Sequence, residues 1–438
     1  MATKLRSVVL VGTLDTKGPE HAFVRDRLRE AGVAVIVVDV GVLGEPAFPP
    51  DVAAVEVARA AGIDLADLRF SREGSDTRAV ALDAMSRGAV AVVGDLRSRG
   101  SCDGVMGLGG SGGSTVVSAV LRSLPVGVPK LLVSTMASGN VRTFVGTSDV
   151  TLVYSVTDVQ GLNRVSRRVL GNAAHAMAGM VRGLATAATA DVPLVALTMM
   201  GITTPAVQRV QGTLEAAGFE TIVFHAVGAG GQAMEDMIDA GLIDGVVDLT
   251  TSELTDELCG GILSAGPDRL QAAGRAGLPQ VVVPGALEVI NFGPRDTIPA
   301  RYESADRRIV IHNPSISAVR TDAAESAELG RILAMKVNAS TGPTAVLIPL
   351  LGCSGYESPG GPYIDPEADA AMFDAIRTTL RDGIELREID ANINDPKFAD
   401  GASETFLALW SSVRPLPARP PAGGPATPGG PAAPEGRS

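Results

Sequence analysis

The stretch GVMGLGGSGGS, residues 104–114, contains six glycines in eleven positions. A glycine inside a helix or strand costs about 0.5–1 kcal/mol relative to alanine, so this density indicates that something approaches the backbone closely. The residues at its start predict a strand over 104–108, and the apolar residues after it predict a helix over 115–124. A glycine-rich turn between a strand and a helix lets backbone N–H groups converge on an anion. We therefore predict that a phosphate or a carboxylate binds at Gly109, Gly110, Ser111, Gly112, Gly113 and Ser114.

The same stretch matches the dinucleotide-binding pattern GxGxxG through Gly107, Gly109 and Gly112. In dinucleotide-binding folds this pattern follows the first strand, and an acidic residue lies about 20 positions further on. Here the pattern follows a later strand, and residues 125–140 contain no aspartate or glutamate. The pattern therefore favours a mononucleotide or a phosphorylated metabolite over a dinucleotide. A flexible loop without a ligand is the alternative.

Short apolar runs alternate with amphipathic stretches along the rest of the chain. Strands are predicted at 8–11, 33–38 and 130–134, and helices at 19–31 and 77–87. This alternation is typical of βαβ units and parallel sheets. The predicted fold class is therefore α/β, with two Rossmann-like subdomains whose mainly parallel sheets face a cleft.

The second half of the chain repeats this plan. Four pairs of segments align by eye: 8–20 with 194–207, 104–114 with 245–261, 130–139 with 280–293, and 151–158 with 308–315. Either the chain contains an internal duplication, or its halves share only the pattern common to βαβ proteins. We predict an N-terminal subdomain at 1–188, which carries the nucleotide-binding loops, and a C-terminal subdomain at 189–413. Residues 414–438 are rich in proline and glycine and predict a disordered tail.

The composition excludes several classes of protein. The net charge is −12 and no run of lysine or arginine is present, so we expect no nucleic-acid partner. No apolar stretch approaches the roughly 20 residues of a membrane span, so we expect no membrane partner. The three cysteines are widely spaced and form no CxxC pair, which is typical of a reducing compartment and predicts a cytoplasmic protein.

A second polar turn follows the first predicted strand, directly before a helix. It offers two hydroxyls, a carboxylate and an ammonium group, from Gly12, Thr13, Asp15, Thr16 and Lys17. Lys17 can offset phosphate charge, and Asp15 can hold Mg²⁺. The alternative is a solvated turn in which Asp15 or Thr16 caps the helix. The order of residues is not that of a Walker A loop.

A third turn follows the strand at 130–134. Its small and hydroxyl side chains suit contacts with ribose or phosphate, and an ordinary βα loop is the alternative. The candidate residues are Thr135, Met136, Ala137, Ser138 and Gly139.

The second half supplies candidate catalytic groups, namely His312, Glu253 and Glu288. His312 follows an apolar run and is therefore placed at a strand end, where general acid–base chemistry is plausible. A structural hydrogen-bonding role is the alternative. Residues 109–113 also match the nucleophile pattern GxSxG by letters. This match keeps a serine hydrolase as an outside alternative, with Ser111, Asp248 and His312 in the chain order of such a triad.

Several motifs together resemble one family. GTLDTKG, GLGGSGGS, STMASG, GALEVINFG, HNPSI and DANINDPKFA occur in order between about residues 6 and 411. This set resembles the tobamovirus-resistance-protein-like ATP-binding family. The resemblance implies an ATP site at residues 12–18 and 109–114, with 135–139 nearby, and with Asp15 in this site we expect Mg²⁺ to accompany the ATP. It also implies self-association, for which we expect a homodimer. The plant members carry a further barrel-type domain, for which we expect no counterpart here.

Two functional hypotheses follow. The first is an enzyme that uses ATP on a small acid metabolite held in the cleft. The second is a nucleotide-gated module that binds a partner or regulates it without turnover. The residues leave open whether the protein is an enzyme.

Overall fold

The chain divides into two compact units, Met1–Ala188 and Thr189–Ser438. The computed structural model describes residues 5–69, 75–184, 192–304 and 307–417. Each unit is built around a parallel β-sheet, which confirms the α/β class with two mainly parallel sheets of Rossmann-like type. None of the described helices combines the length and the apolar character needed to cross a membrane.

The sheet of the first unit has five parallel strands in the order β2-β1-β3-β4-β5. The strands are β1 (Ser7–Gly12), β2 (Ala34–Asp39), β3 (Gly104–Gly109), β4 (Lys130–Ser134) and β5 (Thr151–Tyr154). This order is that of flavodoxin-like folds, in which connections run in opposite directions from β1 and β3. The point between β1 and β3 is therefore a switch point, where ligands of such folds bind.

Helices cover both faces of this sheet. They are α1 (Leu14–Glu30), α2 (Ala54–Ala60), α3 (Leu65–Arg69), α4 (Ser75–Ser98), α5 (Ser111–Arg122), α6 (Arg142–Val145) and α7 (Arg164–Arg182). Alternate residues of β1 enter different cores: Val9 and Val11 pack with α2, α4 and α5, whereas Val8 and Leu10 pack with α1 and α7. A strand buried on both faces reads as a continuous apolar run, which is why β1 could be predicted.

The sheet of the second unit has six parallel strands in the order β14-β13-β9-β8-β6-β7. Its strands are β6 (Leu194–Met199), β7 (Glu220–His225), β8 (Gly245–Asp248), β9 (Gln280–Val282), β13 (Thr344–Pro349) and β14 (Glu385–Ile389). Numbered within the unit, this is the same 2-1-3-4-5 order with one strand added. The predicted alignments of β1 with β6, β3 with β8 and β4 with β9 agree with this order.

Helices also cover both faces of the second sheet. They are α8 (Thr204–Ala216), α9 (Ala229–Asp239), α10 (Glu253–Cys259), α11 (Ala272–Arg275), α12 (Ala323–Asn338), α13 (Pro366–Thr379) and α14 (Pro396–Ser411). α8 and α14 pack on one face, where Phe219, Phe406 and Trp410 form an aromatic cluster. α12 and α13 pack together on the other face.

A small antiparallel sheet is inserted between β9 and β13. It consists of β10 (Val289–Phe292), β11 (Ile309–Asn313) and β12 (Ile316–Arg320), in the order β10-β12-β11. The predicted alignment of 308–315 with 151–158 is therefore wrong, because β5 belongs to the parallel sheet and β11 does not.

Two helices begin a full turn or more before their predicted starts. α1 begins at Leu14 rather than at Pro19, and its backbone leaves the helical region at Lys17. Pro19 accounts for this kink, since a proline inside a helix lacks one N–H and clashes with the preceding turn. α5 begins at Ser111 rather than at Thr115, so the second half of the glycine stretch is the first turn of the helix.

The described part of the predicted tail continues the second unit. The Trp410 indole N–H donates to the carbonyl oxygen of Pro415 at 3.0 Å, and the Arg414 guanidinium lies 5.2 Å from the Trp410 ring centroid. The remainder of the tail, residues 418–438, lies outside the described residues.

Candidate functional site

The three predicted loops lie at one edge of the first sheet. They follow β1, β3 and β4, which are neighbours: Val11 pairs with Gly107, and Gly109 pairs with Ser134. The carboxyl ends of parallel strands meet at the same edge, so the loops at 12–17, 110–114 and 135–139 adjoin one another. The Thr135 amide joins two of them by donating to the Gly109 carbonyl at 3.3 Å.

The glycines within β3 are explained by packing. A Cβ on Gly107 would lie 2.5 Å from the methyl groups of Val117 and 2.9 Å from the carbonyl oxygen of Val11. A Cβ on Gly104 would lie 2.4 Å from the terminal methyl of Met177. None of the glycines at 104–113 has a left-handed φ. These two glycines therefore allow the close approach of helices and a strand, and they require no unusual backbone conformation.

The glycines after β3 form an open helix N-terminus. Gly110 is the N-cap of α5, no side chain caps the helix, and the first turn holds Ser111, Gly112 and Gly113 without an acidic residue. The first N–H groups of a helix have no partner within it, and together with the helix dipole they attract an anion. Ser114 plays a different part. It is buried, and its hydroxyl lies 2.6 Å from that of Ser134, so its side chain joins two loops.

An arginine from another helix faces this N-terminus. A Cβ on Gly112 would lie 3.2 Å from Nη2 of Arg78, which is an exposed residue of α4. Arg78 forms no salt bridge with a carboxylate of the described residues. Sequence reasoning missed Arg78, because no local pattern reports how α4 packs against α5. Its guanidinium supplies a positive charge beside the open amides.

In the loop after β1, the two carboxylate oxygens of Asp15 have different surroundings. Oδ2 accepts hydrogen bonds from the amides of Leu43 at 2.8 Å and Gly44 at 3.2 Å. Oδ1 is buried and makes no hydrogen bond with a described residue. The Thr16 hydroxyl donates to that of Thr13 at 2.9 Å. Through Oδ2, Asp15 therefore holds the chain that follows β2, while Oδ1 remains without a partner among the described residues.

His21 explains Gly12 and was missed from the sequence. A Cβ on Gly12 would lie 1.6 Å from Nε2 of His21, so only glycine fits there. The His21 ring is fully buried, and its Nδ1 lies 2.8 Å from the Lys17 carbonyl oxygen. Burial lowers the pKa of His21, so its imidazole is neutral at physiological pH. The His21 ring therefore packs against Gly12 and supports the loop that follows β1.

The loop after β4 is more open. The Met136 amide donates to the Ser134 hydroxyl at 3.0 Å, and Met136, Ser138 and Gly139 are exposed. The Gly139 amide donates to the Met136 carbonyl at 3.3 Å, which closes a short turn. The Ser138 hydroxyl is therefore open to a ligand.

Two of the predicted catalytic candidates, Glu253 and His312, lie in surroundings that the sequence did not indicate. Glu253 is fully buried at the start of α10, where it accepts from Arg269 Nε at 2.6 Å and from the amides of Gly228 and Gly231. It belongs to a buried ion-pair network and is not open to a substrate. His312 lies one residue before the end of β11, as expected, but this strand belongs to the small antiparallel sheet and the His312 side chain is exposed.

The serine hydrolase alternative is also not supported. The oxygens of Asp248 accept from Arg269 at 2.6 and 2.8 Å and from the Thr198 hydroxyl at 2.7 Å. Asp248 is thereby committed to a buried network and does not orient His312. Ser111 is an exposed residue in the first turn of α5 and not a strained nucleophile elbow.

Glu288, the third candidate, lies at the carboxyl edge of the second sheet. It follows β9 and is fully buried near Cys353 and Glu357. Burial raises the pKa of Glu288, although the Arg320 guanidinium acts to lower it. Burial also raises the pKa of the Cys353 thiol, and it raises the pKa of Glu357 together with repulsion from Glu288.

The chain matches a known family along both units. Residues 6–186 match the N-terminal domain of the uncharacterised protein family UPF0261, and residues 192–410 match its C-terminal domain. These matches cover most of the chain, so the protein belongs to the UPF0261 family.

Individual relatives agree with this assignment. A UPF0261 protein of Clostridium tetani is 42% identical over 405 residues, which cover 92% of this chain and 99% of the relative. A UPF0261 protein of Rhizobium meliloti is 41% identical over 404 residues, which cover 92% and 98%. The ToMV resistance protein Tm-1(GCR237) of Solanum lycopersicum is 37% identical over 353 residues, which cover 79% of this chain and 47% of the tomato protein. The resemblance predicted from the motifs is therefore confirmed, and the match spans about half of the tomato protein.

Proposed function

We propose that the first unit binds ATP and that the phosphates lie on the N-terminus of α5. The observation that carries this proposal is the uncapped first turn of α5, whose residues Ser111, Gly112 and Gly113 leave the backbone amides open. Glycine brings the backbone close to an anion, and the helix dipole stabilises the negative charge. The site lies at the β1/β3 switch point, where flavodoxin-like folds bind their ligands.

Two cations supplement the amides. Arg78 lies against Gly112, and Lys17 belongs to the loop after the neighbouring strand β1. An arginine binds two phosphate oxygens through its planar fork, whereas a lysine offers a point charge. We therefore assign Arg78 to a phosphate at the α5 end of the site and Lys17 to the outer phosphates. In the third loop, Ser138 supplies a hydroxyl for the ribose or a phosphate.

Asp15 fits the metal that accompanies a nucleoside triphosphate. Mg²⁺ in such sites is held by one or two carboxylates together with phosphate oxygens. Asp15 Oδ1 makes no hydrogen bond with a described residue, while Oδ2 is fixed by two amides. Asp15 would therefore present one oriented oxygen to Mg²⁺, and the ion would supply additional positive charge at the phosphates.

The proposal concerns binding. His312, Glu253 and Glu288 all belong to the second unit, whereas the glycine loop belongs to the first. Release of inorganic phosphate, measured with and without small carboxylic acids, separates an ATP-using enzyme from a nucleotide-gated module.

The test compares Arg78→Gln with Arg87→Gln in titrations with MgATP. Both arginines are exposed on α4, but Arg87 pairs with Asp83 instead of facing Gly112. A charge-assisted hydrogen bond contributes about 1.5–3 kcal/mol, so Arg78→Gln should weaken ATP binding about 10- to 150-fold. Arg87→Gln should leave it unchanged. Equal affinities for both variants, or no binding of ATP by the unchanged protein, would refute the proposal.

A further inference from the structure

A cluster of buried polar side chains lies at the carboxyl edge of the second sheet. Glu288 follows β9, Cys353 follows β13, and Glu357 ends the short 3₁₀ turn Gly355–Glu357. β9 and β13 are neighbouring strands, so their carboxyl ends bring these residues together. One oxygen of each glutamate and the Sγ of Cys353 all lie within 4.8 Å of one another.

Glu288 is the unexplained member of this cluster. Its exposed fraction is 0%, and neither carboxylate oxygen makes a hydrogen bond of normal geometry with a described residue, although the nearby Ser354 hydroxyl acts to lower the pKa of Glu288. Glu357, by contrast, accepts from the Cys353 amide at 2.6 Å and from Arg320 Nη2 at 2.8 Å. A buried charge without donors is strongly destabilising. The orphaned oxygens therefore indicate a partner for Glu288 that is not a protein side chain.

The charges around Glu288 indicate the sign of that partner. Arg320 donates to both Glu357 and Asp369, and it is the cation that the buried Glu357 and the partly buried Asp369 share. When ionised, three carboxylates and the Cys353 thiolate beside one guanidinium leave an excess of negative charge. A divalent cation offsets two of these charges.

Two residues in the loops that carry Glu288 and Cys353 have a positive φ. Ala286, two residues before Glu288, has a φ of 53°, which is unusual for a residue other than glycine. Its amide donates to the Cys353 carbonyl at 2.9 Å, so the two loops are joined. Gly352 has a φ of 119°, and a Cβ there would lie 2.7 Å from the Glu357 Cβ. Such backbone strain persists where the surroundings enforce it, and it concentrates at binding sites.

We propose that Glu288, Cys353 and Glu357 bind a divalent zinc-class ion. A thiolate with carboxylates selects zinc over magnesium or calcium, which prefer oxygen ligands alone. On binding, the Cys353 thiol releases its proton to solvent and its sulfur forms the bond to the metal. Arg320 holds Glu357 in position from outside the coordination sphere. Three protein ligands leave a fourth position for water or a substrate atom, as in catalytic zinc sites. This proposal is independent of the nucleotide site.

The test uses the full-length protein, treated with a chelator and then titrated with Co²⁺ and Zn²⁺. We expect one ion per chain by elemental analysis and a cobalt–thiolate charge-transfer band in the near ultraviolet. Cys353→Ser should abolish the band, and Glu288→Gln should lower zinc affinity at least tenfold. Cys259→Ser is the matched control, since Cys259 is another buried cysteine of the same unit, and it should keep the band.

The unchanged protein alone can overturn the proposal, so the test does not depend on whether the variants fold. Uptake of no Co²⁺, or uptake without a thiolate band, would overturn the proposal. Retention of the band in Cys353→Ser would place the metal elsewhere. Circular dichroism of each variant confirms that a lost band reports a lost ligand and not a lost fold.

Discussion

The glycine stretch at 104–114 combines two roles, and a pair of substitutions separates them. Gly107 lies within β3 between Val117 and the backbone of β1, whereas Gly112 lies in the open first turn of α5. We predict that Gly107→Ala destabilises the first unit, because its methyl group has no space. We predict that Gly112→Ala leaves stability nearly unchanged and weakens ATP binding.

The magnitudes follow from the contacts. At Gly107 the new Cβ meets a carbonyl oxygen of a central strand at 2.9 Å, and that strand cannot move freely. Overpacking a core typically costs 1–3 kcal/mol, and we expect a loss of about 3 kcal/mol here. For a unit of this size that is a drop of roughly 6–12 °C in melting temperature. At Gly112 the nearest atom is the flexible end of Arg78, and alanine in a helix gains up to about 1 kcal/mol over glycine.

Scanning calorimetry measures the melting temperature of each variant, and isothermal titration with MgATP measures its affinity. Loss of one charge-assisted hydrogen bond should weaken ATP binding by Gly112→Ala about 10- to 150-fold. Gly171→Ala is a control for the helix effect, since a Cβ on this glycine of α7 has no atom within 4 Å. The reasoning is refuted if Gly107→Ala is as stable as the unchanged protein, or if Gly112→Ala binds ATP normally.

Three further predictions concern charged side chains. Lys17→Ala should weaken binding of ATP but hardly that of AMP in titrations, if Lys17 reaches the outer phosphates. Arg269→Met should lower the unfolding free energy of the second unit by about 3–5 kcal/mol in denaturant titrations, because it leaves the buried carboxylates of Asp248 and Glu253 unpaired. Burial raises the pKa of Asp256 to about 7, whereas an unfolded chain ionises there near pH 3.9. Stability should therefore fall as pH rises between these values, by up to about 4 kcal/mol, and Asp256→Asn should remove that fall in unfolding measurements at pH 4 and pH 8.

The central strands β1, β3 and β4 of the first sheet could be predicted because they are buried on two faces, whereas the strand β5 at its edge is partly exposed. Strands buried on both faces are continuous apolar runs, as in β1 and β4, and the glycine stretch marks the end of β3. The helix starts could not be predicted as well. The glycines of 110–113 suggest a loop, but the α5 helix continues through them because its later turns are anchored by Val116, Val117 and Val120 in the core.

The contacts of the candidate sites depend on packing between distant elements. Arg78 lies more than thirty positions before Gly112, and only the packing of α4 on α5 brings its guanidinium to the loop. The apolar run before His312 correctly predicted a strand that ends near this histidine. It did not reveal that residues 309–313 form an antiparallel hairpin with 316–320. Local sequence does not report which sheet a strand joins.

The two units use one strand order in different ways. In the first unit, glycines and exposed hydroxyls at the carboxyl edge leave the α5 amides open. In the second unit the corresponding edge is closed by buried side chains, since the residues after β8 and β9 include Glu253 and Glu288. An edge with open amides suits a large anion, whereas an edge with buried carboxylates suits a small cation. The same topology therefore carries opposite electrostatics, and the chemistry of each edge follows from its side chains rather than from its fold.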